Sequence, residues 1–325
     1  GTLKSHQIGE TIQSNGPKSH LKKEGTPTMG GIIVLLAVIL PTFLWAKVGD
    51  KHILLILLAT MWMGIIGFLD DYLKVIKKYP RGLIARYKMA GQISLGLIVG
   101  IILIYFPDSS QFATSISIPF VSNGTMDIGW FYVPLVILVI TGTSNAVNLT
   151  DGLDGLATGL VAIATLVFGA IAYASGRLDY SDYLNIIYLP GTGELFIFCL
   201  ALIGACIGFL WFNANPAKIF LGDVGSVILG FICILFLITL AYDGQWGWAI
   251  SLPMYYILDT SITLINRFID GKKIWQAHNE HFYQKAVQSG MNHSQVVKLI
   301  IALQILIITT CYFIENPYLV VFLAF

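Results

Sequence analysis

Runs of apolar residues recur along the whole chain and are separated by short polar stretches. A helix needs about 17–25 such residues to cross the hydrocarbon core of a bilayer, and we count nine runs of suitable length. They are residues 29–46, 53–69, 90–106, 130–148, 156–174, 195–212, 224–242, 246–265 and 297–314. Because helices satisfy their own backbone hydrogen bonds in lipid, the pattern predicts an all-α polytopic membrane protein with about nine transmembrane helices.

The composition supports this class and excludes others. Hydrophobic residues make up 56% of the 325 residues, charged residues 11%, and the mean hydropathy is +0.76, far from the values of soluble domains. A net charge of +1 leaves no basic excess for a nucleic-acid partner. The four cysteines lie in apolar runs without metal-ligand spacing, and residues 1–25 do not resemble a signal peptide.

The distribution of Lys and Arg predicts the orientation. Sixteen of the 19 fall on one alternating set of loops or helix ends, whereas the other set holds only Lys47, Lys51 and Arg177. Because loops rich in these residues stay in the cytoplasm, we predict a cytoplasmic amino terminus and an outer carboxyl terminus. The chain is then one membrane domain, residues 1–325, with a cytoplasmic amino-terminal segment (1–25) and a cytoplasmic substrate loop (266–296).

Five polar motifs fall on the predicted cytoplasmic face. They are residues 25–31 (GTPTMGG), 67–72 (GFLDDY), 145–155 (NAVNLTDGLDG), 213–226 (NANPAKIFLGDVGS) and 277–284 (AHNEHFYQ). Carboxylates at membrane helix ends are costly to place in lipid, so the convergence of these motifs on one face predicts a site there.

Three carboxylates are the candidates for metal binding and catalysis. Asp70 and Asp71 are adjacent and would repel each other without a nearby cation. Asp223 lies between glycines at a predicted helix start. Carboxylates without thiols suit a hard cation such as Mg²⁺. The alternative interpretation is that all three are helix-terminal residues that interact with helix dipoles.

Four polar residues, Asn145, Asn148, Asp151 and Asp154, recur at intervals of three and would share a face in a helical conformation. Such groups suit a nucleobase and ribose, but they are also typical of a tight turn. In the 213–226 motif, Lys218 is suited to a phosphate, and Phe220 or Phe212 is available to stack on a base.

The remaining candidates carry weaker signals. Thr28 with Lys23 has the chemistry of a phosphate cradle, although the neighbouring Gly30 and Gly31 are equally suited to close helix packing. Arg86 and Lys88 suit an anionic lipid head group or a solvated basic face. His278 and His281 lie three residues apart and fit a surface feature as well as a site.

The first four motifs and residues 82–88 (GLIARYK) resemble those of the phospho-N-acetylmuramoyl-pentapeptide transferases, within the polyprenyl-phosphate N-acetylhexosamine-1-phosphate transferase superfamily. The resemblance runs from about residue 15 to residue 230. It implies transfer of phospho-muramoyl-pentapeptide from a UDP carrier to undecaprenyl phosphate, with Mg²⁺, at the bacterial inner membrane. The products would be lipid I and UMP, and the oligomeric state, for example a homodimer, is left open.

The resemblance also implies roles for single residues. Asp223 would be the main Mg²⁺ ligand with Asp71 close by, and Asp70 the general base. The residues that match the uridine pocket or its walls are Asn148, Asp151, Asp154, Asn213 and Phe220. His281 is taken as a catalytic candidate and His278 as a substrate-binding one.

Two departures from the family pattern matter. The family has ten spans, so one helix is expected before the position of Gly1. The last loop lacks the Pro-x-His-His-His-x-Glu pattern of the muramoyl enzymes and resembles that of transferases that initiate O-antigen and related glycans. A UDP-N-acetylhexosamine donor is therefore the alternative. A proton- or Na⁺-coupled transporter is a remote one, because transporter sites usually lie near the membrane midplane.

Overall fold

The computed structural model describes residues 26–79, 82–107, 114–117, 125–184, 188–226, 251–273 and 278–313, and this part of the chain is built almost entirely from helices. In chain order these are α1 (Gly31–Trp45), α2 (Lys51–Val75), α3 (Ala85–Tyr105), α4 (Tyr132–Thr150), α5 (Leu156–Ser175), α6 (Leu178–Leu184), α7 (Gly193–Asn213), α8 (Met254–Ile269), α9 (Phe282–Gln288) and α10 (His293–Phe313). Between α3 and α4, β1 (Ser115–Ser117) pairs antiparallel with β2 (Thr125–Asp127).

Six of the described helices are long and apolar enough to cross a membrane, namely α2, α3, α4 with its preceding turn, α5, α7 and α10. The shorter α1 is also apolar. Large side chains such as Leu40, Leu138 and Leu306 are exposed on the outside of the bundle, as expected where lipid is the solvent. The predicted all-α polytopic membrane protein is therefore confirmed, whereas the predicted seventh span lies largely outside the described residues.

Several helices extend beyond their apolar runs, and two of these extensions place charged residues of the candidate site inside a helix. α2 continues past residue 69 to Val75, so Asp70 and Asp71 lie inside the helix. α3 begins at Ala85 rather than near residue 90, so Lys88 lies in its first turns. Charged residues are tolerated there because they have partners from other elements, as described below.

Glycines allow the elements at one end of the bundle to approach closely. A Cβ atom added at Gly67 of α2 would lie 2.6 Å from the carbonyl oxygen of Asp223. A Cβ atom at Gly31 of α1 would overlap the backbone of Gly225. Such contacts are below van der Waals distance, so only glycine fits, and α1 and α2 are both held against residues 222–226.

This packing predicts that Gly67→Ala is destabilising. The added methyl group must push α2 away from Asp223, and overpacking of this kind lowers the free energy of unfolding by about 1–3 kcal/mol. Thermal unfolding in detergent measures the effect. Gly204→Ala in α7 is the control, because the methyl group that it adds has no atom of another element within 4 Å. Equal stability of the two variants would contradict the close approach.

Candidate active site

Asp70, Asp71 and Asp223 meet where the end of α2 lies against the helical segment that begins at Gly222. Asp70 and Asp71 are 3% and 4% exposed, and the side chain of Asp223 is 18% exposed. Burying a carboxylate is costly unless it is paired or hydrogen-bonded. The partners of each one therefore indicate what it does.

Asp71 binds backbone amides. The N–H of Asp223 donates to Asp71 Oδ1 at 3.0 Å, and the N–H of Val224 donates to Oδ2 at 3.1 Å. The first N–H groups of a helix have no hydrogen-bond acceptor within that helix. Asp71 provides an acceptor oxygen for two of them from a different helix. Gly222, with a φ of +74°, makes the turn that brings these amides to the carboxylate. Asp71 thus fixes the position of Asp223.

Two lysines neutralise the other two carboxylates. Lys74 Nζ lies 2.8 Å from Asp70 Oδ2 and 2.6 Å from Asp223 Oδ2. Lys88 Nζ lies 3.3 Å from Asp223 Oδ2 and 3.7 Å from Asp70 Oδ2. Together with Asp71, these four side chains have formal charges of three negative and two positive.

Lys74 was not among the sequence-based candidates, although a signal existed. It lies four residues after Asp70, on the same face of a helix. Because the predicted span ended at residue 69, the two residues were not expected to share a helix.

The loop before α3 covers Asp70. The N–H of Leu83 donates to Asp70 Oδ1 at 2.6 Å. Gly82 has a φ of +55°, and a Cβ atom there would overlap the same oxygen. Arg86, by contrast, is exposed, and its guanidinium lies 5.0 Å from the centre of the Tyr87 ring.

Asn148 is the uridine-pocket candidate that reaches the carboxylates. Its Nδ2 donates to Asp223 Oδ1 at 2.9 Å and to Ser226 Oγ at 2.7 Å. Helix α4 ends at Thr150, so Asp151 and Asp154 lie in the following turn and do not continue the face formed by Asn145 and Asn148.

Asp154 and Asn213 connect loops. Asp154 Oδ2 accepts from Asn215 Nδ2 and from the N–H of Ala217, at 3.0 and 3.1 Å. Asn213 Oδ1 accepts from the N–H of Gly155, and its Nδ2 donates to the carbonyl of Ile219, both at 3.0 Å. These bonds hold the 151–155 turn against residues 213–219.

The first motif binds the segment that precedes Asp223. The N–H of Phe220 donates to the carbonyl of Pro27, and the N–H of Gly30 donates to the carbonyl of Phe220. Thr28 is buried, and its Oγ1 lies 3.2 Å from a Cβ position built on Gly222. Lys23 lies outside the described residues. Gly30 and Gly31 thus serve close packing here, while the stacking role of Phe220 stays a prediction.

The last loop contains a second group of charged and aromatic residues. His281 Nδ1 lies 3.1 Å from Asp259 Oδ2, and the N–H of Phe282 donates to Asp259 Oδ1 at 2.7 Å. The ring of His281 stacks against the rings of both His278 and Tyr283, with centroid distances of 4.8 and 5.7 Å. Asp259 was missed because it lies 22 residues before its partner.

Arg267 anchors this loop to α8. Its Nη1 donates to Glu280 Oε1 at 2.5 Å and its Nη2 to the carbonyl of Lys273 at 2.9 Å. Burial lowers the pKa of His278, and the charge of Arg267 lowers it further. Lys272, hydrogen-bonded to Glu280, lowers the pKa of that carboxyl group. Burial and the charge of Arg267 thus both favour the neutral form of the His278 ring.

The last loop lies beside the end of α4. Tyr283 Oη donates to the carbonyl of Leu149 at 3.0 Å, and a Cβ atom at Gly152 would overlap the same phenol. Burial raises the pKa of Tyr283, and the nearby carboxylates of Asp259 and Asp151 raise it further. The described parts of all five motifs thus contact one another at one end of the bundle.

The donor set suits a hard cation. Across the described residues, no three His, Cys, Asp or Glu side chains form a metal-binding group. Two carboxylate oxygens, Asp70 Oδ2 and Asp223 Oδ2, nevertheless converge on the Lys74 ammonium. Mg²⁺ commonly binds through one or two carboxylates, with waters and substrate phosphates as its other ligands, so these residues fit it.

A bundle of apolar helices with buried carboxylates and lysines at one end defines a polytopic membrane protein with a polar site for charged ligands. The sequence model of glycosyl transferase family 4 matches residues 53–241, more than half of the chain, and the chain belongs to this family. A phospho-N-acetylmuramoyl-pentapeptide-transferase signature also matches residues 23–35.

Several curated relatives are similar over most of this chain. The phospho-N-acetylmuramoyl-pentapeptide-transferase of Chlorobaculum parvum is 50% identical over 228 residues, which cover 70% of this chain and 62% of the relative. The proteins of the same name from Chlorobium phaeobacteroides and Thermodesulfovibrio yellowstonii are 49% and 48% identical, over 68% and 70% of this chain and 60% and 63% of their own lengths. The matched region thus spans less than two thirds of these relatives.

The amide contacts of Asp71 lead to a prediction about stability. Asp71→Asn replaces one acceptor oxygen with an NH₂ group, so one of the two N–H groups loses its partner. Loss of a helix-capping contact lowers the free energy of unfolding by about 0.5–2 kcal/mol, which thermal unfolding in detergent measures.

Asp50→Asn is the matched control for this variant. Asp50 caps α2 through a single oxygen, Oδ1, which accepts from the N–H groups of His52 and Ile53, and asparagine keeps such an oxygen. A larger loss for Asp50→Asn than for Asp71→Asn would contradict the two-oxygen contact.

Proposed function

We propose that this protein transfers phospho-N-acetylmuramoyl-pentapeptide from its UDP carrier to undecaprenyl phosphate, which yields lipid I and UMP in peptidoglycan synthesis. The observation that carries the proposal is the convergence of Asp70, Asp223, Lys74 and Lys88 at one end of a membrane bundle. The similarity to transferases of that name supports the choice of substrates.

The charges of the site suit phosphoryl transfer, in which catalysis depends mainly on positioning and on neutralising phosphate charge. Lys74 and Lys88 place positive charge beside Asp70 and Asp223, and each lysine can pair with a phosphate oxygen instead of a carboxylate. Asp223 would hold Mg²⁺ with Asp71 close by, and the ion when bound would supply further positive charge to the phosphates.

The proposed reaction forms one bond and breaks one. An oxygen of the lipid phosphate attacks the β-phosphorus of the UDP-linked sugar, and the bond from that phosphorus to the bridging oxygen breaks, so UMP leaves. Asp70 takes the remaining proton of the lipid phosphate, because its Oδ2 would become available once Lys74 pairs with phosphate.

The proposed location is the bacterial inner membrane, with the site facing the cytoplasm. Lys74, Lys88 and Arg267 belong to the motif-bearing end, whereas Lys47 contacts Glu194 at the start of α7, the opposite end of that helix from Asn213. Basic residues favour the cytoplasmic side, which supports this orientation.

A UDP-N-acetylhexosamine donor is the second candidate, and the last loop favours it. His278 and His281 stack in a loop without the three consecutive histidines of the muramoyl enzymes. The phosphotransfer chemistry would be the same for both donors, so the donor must be tested directly.

The first test is transfer by the purified protein with and without Mg²⁺. We expect Asp223→Asn to lower turnover by about 10²–10³-fold, the usual effect of removing a charge-stabilising group from an active site, in a protein that stays folded. Asp50→Asn, at the opposite end of α2, should keep wild-type turnover. Near-normal turnover of Asp223→Asn would place the essential carboxylate elsewhere.

The second test compares donors. Radiolabelled UDP-N-acetylmuramoyl-pentapeptide and UDP-N-acetylglucosamine are each supplied with undecaprenyl phosphate, and the lipid-linked product is measured. We expect the muramoyl donor to be used at least 10-fold more efficiently, a ratio that about 1.4 kcal/mol of differential binding provides. The reverse preference would support the glycan-initiating function, and no product from either donor would contradict both.

A further inference from the structure

One face of α3 packs along α4 from the outer part of the bundle to the active site. Every fourth residue of α3 lies on this face, namely Lys88, Gln92, Gly96 and Gly100. These four residues differ in chemistry, and each makes a different kind of contact. We call this contact line the α3–α4 seam.

Glycines form the part of the seam that is furthest from the site. A Cβ atom at Gly96 would lie 2.8 Å from Cα of Ile137, and one at Gly100 would lie 3.3 Å from Cα of Val133. Small residues at helix contacts let membrane helices approach closely. These contacts constrain the position of α3 along α4, and directional hydrogen bonds constrain it more sharply.

Amide hydrogen bonds form the middle of the seam. Gln92 is fully buried; its Oε1 accepts from Asn145 Nδ2 at 2.9 Å, and its Nε2 donates to Ser144 Oγ at 3.3 Å. Asn145 Nδ2 also donates to the carbonyl of Thr141 at 2.7 Å, which orients the amide. Unlike apolar contacts, these bonds are directional and fix the register of α3 against α4.

At the site end of the seam, one side chain from α3 and one from α4 contact Asp223. Lys88 lies four residues before Gln92 on α3, and its Nζ is 3.3 Å from Asp223 Oδ2. Asn148 lies three residues after Asn145 on α4, and its Nδ2 is 2.9 Å from Asp223 Oδ1. The amide pair is therefore one helical turn from the residues that hold the carboxylate.

We propose that Gln92 is a positioning residue for the transfer reaction: its hydrogen bonds to Asn145 and Ser144 set the register of α3 and so place the Lys88 ammonium beside Asp223. This inference rests on the proposed function for its kinetic consequences. Its structural part, the placement of Lys88, does not depend on the reaction.

The kinetic test is Gln92→Leu, which keeps the size of the side chain but removes its hydrogen bonds. Displacement of a charged group by about 1 Å can reduce catalysis up to 10²-fold, so we expect kcat to fall about 10-fold. KM for the UDP-linked donor should change less than about 2-fold. Asn145→Ala removes the same 2.9 Å bond from α4 and should give the same pattern.

Gln304→Leu is the matched control. Gln304 is also buried in a membrane helix, and its Nε2 donates to the carbonyls of Ser251 and Leu252 at 2.8 and 3.0 Å. Its loss should lower the thermal stability as Gln92→Leu does, with kcat unchanged. An equal fall of kcat in both variants would show a general structural effect and overturn the proposal.

Cross-linking tests the placement of Lys88 without any reaction. Lys88→Cys and Asp223→Cys are combined, and a short bifunctional methanethiosulfonate joins the two thiols. The parent protein, which has only its native cysteines, is treated in parallel as the control for their reactivity. We expect the yield to fall when Gln92→Leu is added and to stay the same with Gln304→Leu. An unchanged yield with Gln92→Leu would overturn the positioning role, whereas an inactive wild-type protein would overturn only the proposed function.

Discussion

The motif-bearing end of this bundle depends on how the charges of three carboxylates are compensated. Charges buried at a membrane helix end are strongly unfavourable without partners, and each aspartate has a different set. Asp71 has two backbone N–H groups, Asp70 has Lys74 and the N–H of Leu83, and Asp223 has Lys74, Lys88 and Asn148. Because these partners come from separate elements, the compensation also determines how those elements pack.

The amide contacts of Asp71 explain why glycines are needed nearby. A side-chain oxygen reaches a backbone N–H of another element only when the two backbones are close. Gly67 lets α2 approach residues 223–224, and Gly222 turns the chain so that its amides face Asp71. The glycines allow the two backbones to lie close together, and the carboxylate of Asp71 then accepts hydrogen bonds across the gap between them.

The sequence predicted the helices and the set of converging motifs, because apolar runs and local polar clusters are visible in a single chain. It did not predict the partner of each charge. Asp71 looked like a metal ligand or a helix-end residue, and its capped amides lie 152 and 153 positions away. Asp259 and His281 were likewise too far apart for spacing to indicate their contact. Residue type suggests which chemistry is available, whereas long-range packing decides which atoms remain for a ligand.

The two lysines differ in a way that bears on the proposed reaction. Both neutralise carboxylates, and phosphate groups would need the same positive charge, so substrate binding must exchange at least one of these pairs. The side chain of Lys74 is 39% exposed, whereas that of Lys88 is 15% exposed and lies one turn from the Gln92–Asn145 pair. Lys74 can therefore turn towards an incoming phosphate at little cost in packing, while Lys88 keeps Asp223 compensated. In the proposed reaction the phosphates would therefore take one ammonium from the carboxylates. The excess negative charge around Asp223 would increase, and this would favour binding of a divalent cation.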